Sequence, residues 1–78
     1  MNPQLTNVSS KRAHRVLKKL GFIDARCKGS HQSMVRERAD GGFDVLTLVL
    51  GKKEIKPYTM RGILTQGSVS IEDFIREL

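Results

Sequence analysis

Residues 22–50 read FIDARCKGSHQSMVRERADGGFDVLTLVL, and this stretch decides the fold. Phe22–Lys28 alternates, with Ile23, Ala25 and Cys27 on one face and Asp24, Arg26 and Lys28 on the other, the pattern of a half-buried strand. On that reading Cys27 is a core residue. Lys28-Gly29-Ser30 is a tight turn, since glycine takes positive φ without penalty. His31–Arg38 returns as a second strand, whose facing is ambiguous because Met34 and Val35 point opposite ways. Asp40-Gly41-Gly42 is a second hairpin turn. Phe43–Leu50 follows as a third strand, with Phe43, Val45, Thr47 and Val49 on one face and Asp44, Leu46, Leu48 and Leu50 on the other. Two apolar faces predict that this strand is central, or that its outer face meets a partner.

Helices flank the strands. Ala13, Val16, Leu17 and Leu20 recur at i, i+3, i+4 and i+7, so a helix runs from about Ser10 to Leu20, capped by Ser9 or Ser10. Gly21 stands where a left-handed C-terminal residue belongs, and Phe22 where it packs back on Leu17. Downstream, Pro57 opens a second helix with Met60, Ile63 and Leu64 on its apolar stripe, and Gly67 ends it. Ser70 with Asp73 makes a capping box for a last helix of about eight residues, stapled by Val69 and Phe74. The expected fold is α+β: a three-stranded antiparallel meander with helices on one face and an extra short C-terminal helix. Residues 1–8 read as a loose leader, and 1–78 as one domain, since 78 residues leave no room for a second.

The chain has 14 Lys and Arg against 8 Asp and Glu, a net charge of +6. The excess is confined to residues 1–39, which carry +7, whereas residues 40–78 carry −1. A basic half on so small a domain attracts polyanions, nucleic acid first among them. Lys11, Arg15 and Lys18 line one flank of the first helix, with His14 between them. They are candidates for phosphate contact without sequence readout, and Arg36 extends that surface across the sheet. One cysteine excludes an internal disulfide, one cysteine with two histidines excludes a zinc-finger site, and no apolar run approaches the length of a membrane span. No carboxylate cluster is spaced for a metal, so no cofactor is expected, and a cytoplasmic location is.

Leu17-Lys18-Lys19-Leu20-Gly21-Phe22, then Lys28-Gly29-Ser30-His31, then Thr59-Met60-Arg61-Gly62-Ile63-Leu64 together resemble the HicA family over roughly residues 10–76. These are small RNA-cleaving toxins of toxin–antitoxin pairs with a fold like the double-stranded-RNA-binding domain. The resemblance implies an mRNA endoribonuclease of a type II system, silenced by a HicB-like antitoxin in a possible higher-order complex. It places the catalytic histidine at His31. RNA carries its own nucleophile, the 2′-hydroxyl, so a base, a cation and N–H donors suffice without metal. Imidazole titrates near pH ~6.5 and serves as either acid or base. The expected roles are His31 as general acid or base, Lys28 as phosphate stabiliser, Ser30 as positioner, and the Gly29 N–H as a phosphate donor. Two other readings stand beside it: a noncatalytic RNA-binding module, and a protein-interaction domain using the outer face of the third strand.

Overall fold

The computed structural model describes residues 5–78. Its elements run α1 (Ser10–Lys19), β1 (Ile23–Lys28), β2 (His31–Glu37), β3 (Phe43–Val49), α2 (Pro57–Gln66) and α3 (Ile71–Arg76). The strands form one antiparallel sheet in the order β1-β2-β3. This is the expected α+β arrangement, consistent with a double-stranded-RNA-binding-domain-like fold. Among the described residues no helix is long and apolar enough to cross a membrane.

Local chemistry sets the element ends. Ser9 caps α1 by accepting the Arg12 N–H at 3.1 Å. At the other end Gly21 has φ +100°, Gly21 N–H donates to Lys18 O, and Phe22 N–H donates to Leu17 O. This double bond pattern satisfies the last carbonyls and turns the chain straight into β1. Ser70 caps α3 by accepting the Asp73 N–H at 3.0 Å, and Val69 and Phe74 are both buried. The helix is shorter than expected, six residues.

Register pairing assigns the faces, because residues opposite one another on neighbouring strands point the same way. Asp24–Met34–Leu46 and Cys27–Gln32–Leu48 point toward the helices. Ile23–Val35–Val45, Arg26–Ser33–Thr47 and Lys28–His31–Val49 point to the open face. Met34, Leu46 and Leu48 meet Val16, Leu17, Met60 and Leu64 in the core.

Three expectations are corrected. Cys27 is exposed, as is all of β1, and Ile23 is 64% exposed. The register shifts between Asp24 and Arg26, so Ala25 is extra and the alternation changes parity there. Ile23 and Cys27 therefore lie on opposite faces, and the edge strand has no second layer over it. β3 is an edge strand and β2 the central one, because two successive hairpins place the second strand in the middle. The apolar outer face of β3 is thus uncovered, with Phe43 58% and Val45 54% exposed. Finally, within the stretch read as a leader, Leu5 and Val8 are fully buried and Val8 bridges Ile55. A strand-like contact with the β3–α2 loop makes them part of the core; residues 1–4 of that leader lie outside the described residues.

Gly67 ends α2 with φ −90°, and the left-handed residue is Ser68 at φ +55°. What Gly67 supplies is space: a Cβ there would stand 2.6 Å from Leu46 Cδ2 and 3.0 Å from Phe22 Cζ. Both neighbours are buried, so neither moves freely. Gly67→Ala is expected to lose about 1–3 kcal/mol of stability in a urea unfolding titration, the usual cost of overpacking. An unchanged midpoint would show that the core accommodates the methyl group.

Candidate functional site

The β1–β2 turn is a two-residue connection closed by the pairing of Lys28 with His31. Gly29 has φ +60°, whereas Ser30 has no positive φ, the arrangement a type II′ hairpin turn asks for. No heavy atom outside its chain neighbours lies within 4 Å of a Cβ built on Gly29, so the turn stands clear of the molecule. The Ser30 carbonyl accepts the Leu50 N–H at 2.7 Å, which anchors the turn to the end of β3. His31 follows as the first residue of β2 and is exposed. Among the described residues its ring has no hydrogen-bond or ion-pair partner. Lys28 and Arg26 share the open face with it, both exposed.

The bulge at Ala25 shapes the electrostatics of this face. Without it Asp24 would sit on the side of Arg26 and Lys28. With it Asp24 turns toward α1, where it accepts from His14 Nε2 at 2.7 Å and lies 3.4 Å from Lys18 Nζ. The acid is taken from the cationic side of β1 and given to the helix. Arg26 joins Lys28 beside His31; strict alternation paired it with Asp24, which hid the separation.

The helix flank is divided. Lys11 and Arg15 are exposed and form no ion pair among the described residues, whereas His14 and Lys18 are engaged by Asp24. α1 covers the core face, so this flank and His31 lie on opposite sides of the sheet. They approach only at its end, where Ser10 Oγ donates to Val49 O at 2.7 Å.

Arg36, expected on the nucleic-acid surface, lies on the core face with Asp44 as its partner in register. Its guanidinium donates to Asp44 Oδ2 at 3.0 Å and to Leu20 O at 3.1 Å, and sits 4.5 Å over the Phe22 ring. Arg38 adds a contact to Asp44 Oδ1 at 3.1 Å. The even spacing from Gln32 and Met34 carries Arg36 inward, and the buried Asp44 commits its charge to the fold.

Both paired carboxylates titrate below the ordinary aspartate range. The hydrogen bond from His14, followed by the charges of His14 and Lys18, lowers Asp24. Hydrogen bonds from Arg36 and then Arg38, with their charges, lower Asp44 against the opposing effect of burial. A group whose folded-state pKa is depressed gives stability that is complete above its unfolded value, near ~4, and is lost as pH falls through the lower folded value. Melting temperature is therefore expected to hold from neutral pH to about 5 and to drop below about 4. Asp44→Asn should lower it at pH 7 and flatten the acid limb. An equally steep acid limb in the variant would remove Asp44 from that account.

Residues 10–68 match a family model described as the HicA toxin of bacterial toxin–antitoxin systems. No curated protein matches the chain.

Proposed function

This chain belongs to the HicA toxin family, and from that premise we propose that it is a metal-independent endoribonuclease that cuts single-stranded mRNA in the cytoplasm. Family membership implies an antitoxin partner, and we take that partner to be HicB-like. The observation that carries the reading is an exposed imidazole with no protein partner among the described residues, flanked on the same face by Lys28 and Arg26.

In this reading His31 takes the proton of a ribose 2′-hydroxyl. The 2′-oxygen attacks the adjacent phosphorus, and the bond from phosphorus to the 5′-oxygen breaks. The leaving oxygen receives a proton from the imidazolium or from water. The products are a 2′,3′-cyclic phosphate and a 5′-hydroxyl. Lys28 and Arg26 stabilise the charge that develops on the phosphoryl oxygens. Gly29 lets the strand approach its N–H closely, and Ser30 positions the phosphate.

The antitoxin would close the same face. Ile23, Val45 and Phe43 form its apolar end, and His31 with Lys28 and Arg26 its basic end, so a partner seated on the first and extending along the strands covers the second. One observation favours the alternative of a noncatalytic RNA-binding module. His14, the second imidazole, is held by Asp24 on the opposite side of the sheet, which leaves His31 alone on its face.

The test is cleavage of a labelled single-stranded RNA by the purified chain with EDTA present, paired with growth on induction. Cyclic-phosphate ends, and growth arrest relieved by a co-expressed neighbouring gene, are the expected results. RNA bound but never cut would establish the alternative.

A further inference from the structure

On the helix side of the sheet end, Ser10, Lys11 and His14 face Leu50, Lys52 and Lys53 across a cleft of about 550 Å³. Its walls are pinned together. Ser10 N–H donates to Lys52 O at 2.9 Å, Lys52 N–H donates to Ser10 Oγ at 3.0 Å, and Ser10 Oγ donates to Val49 O at 2.7 Å. The cleft therefore exists before anything enters it, and a ligand need not order it.

Its charge has one sign. Three lysines line it and, among the described residues, no carboxylate does. Among the described residues none of the three forms an ion pair. The acid next in sequence, Glu54, is occupied elsewhere, accepting the Asn7 N–H at 3.0 Å. Three lysines gathered at one fixed wall, with no carboxylate among its lining residues, give that wall a positive potential that attracts an anion. The cleft also adjoins the candidate site. Leu50, which lines it, donates to the carbonyl of Ser30, the residue before His31.

We propose that this cleft is a phosphate-binding subsite that holds the RNA backbone flanking the phosphodiester at His31. The proposal rests on the RNA-cleaving reading above and adds where the strand goes as it leaves the open face. The strand passes over the Gly29–Ser30 turn and down the helix side to Lys11, Lys52 and Lys53. Recognition is chiefly of phosphate: the cations are lysines, which act as point charges, no Phe, Tyr or Trp among the described residues lines the cleft, and the one ring that does, His14, is held by Asp24. The sequence alone marked Lys11 and His14; Lys52 and Lys53 lie in the acidic half of the chain and only folding brings them across.

The experiment uses the full-length chain carrying His31→Ala, so that RNA stays intact. A fluorescent single-stranded RNA of about 12 nucleotides is titrated by anisotropy over a range of salt. Adding Lys52→Gln with Lys53→Gln should weaken binding roughly tenfold and reduce the slope of log affinity against log salt by about 0.7 per lost phosphate contact. Lys19→Gln with Arg61→Gln, of equal charge change outside the cleft, should alter the slope by less than half as much. Equal affinities and slopes for both pairs would overturn the subsite. So would loss of antitoxin binding by the Lys52 and Lys53 variant with RNA binding intact, since the cleft would then belong to the protein partner. The RNA-cleaving reading is judged apart, by the unmodified chain: if that chain binds RNA without cutting it, the reading falls while the subsite is still decided by the slopes. If it does not bind RNA, both fall.

Discussion

His31→Ala is expected to lower the rate of RNA cleavage by about 10²–10⁴-fold, the range that general acid–base groups supply. The reasoning begins with what the side chain does not do for the fold. It is exposed, and among the described residues it bonds to no other side chain or carbonyl. Its backbone pairs with Lys28 on one side and Val49 on the other, and alanine keeps those pairings. Thermal melting should therefore shift little. Nor should RNA affinity change much, because Lys28, Arg26 and the helix-side lysines remain. The loss is expected in kcat, with KM nearly constant, which is how removal of a group acting only in the transition state is recognised. Initial rates on a single-stranded RNA with EDTA present, for both proteins, make the comparison. Matched rates would exclude His31 from the chemistry. A raised KM with unchanged kcat would make it a binding residue only.

The parts of this molecule that were legible in the sequence are those governed by neighbours along the chain. The Ala13, Val16 and Leu17 stripe, the Gly21-Phe22 exit from α1, the glycine turns and the Ser70 cap each draw on residues within about five positions. The parts that were not legible depend on partners far away. Ala25 carries no mark of a bulge, since nothing in Asp24-Ala25-Arg26 shows which residue β2 will leave unpaired. Arg36 looks like any other basic residue until Asp44, eight residues on, is found buried beside it. Leu5 and Val8 precede the first periodic stripe, and their burial follows from a bridge to Ile55. Gly67 sits where a helix-ending glycine belongs, but its reason is the proximity of Leu46 and Phe22. The candidate site divides in the same way. The turn and His31 are contiguous and readable, whereas the parting of Asp24 from Arg26 and Lys28 is a product of register.

Phe22→Ala is expected to be the most destabilising of these substitutions, by about 3–5 kcal/mol. Phe22 is 1% exposed and joins three parts of the fold. Its N–H closes the end of α1 on Leu17 O, its ring carries the Arg36 guanidinium at 4.5 Å, and its edge lies against the end of α2 at Gly67. Truncation opens a cavity between these parts and removes the ring that backs Arg36, whose cation–π contact alone contributes about 0.5–2 kcal/mol. A domain of this length has a total stability of only about 4–12 kcal/mol. The variant should therefore melt about 15–30 °C lower and unfold at markedly lower urea. Phe22→Leu, which refills most of the volume without an aromatic face, should recover more than half of the loss. A shift under about 1 kcal/mol for the alanine variant would show that the core collapses around the gap. The consequence for function is what separates this residue from His31. In a growth assay both alanine variants are expected to be harmless, but for different reasons. Only His31→Ala should keep the parental melt and still bind the antitoxin: on the proposed reading it lacks the proton-transfer group alone, whereas Phe22→Ala lowers the stability of the sheet that presents it.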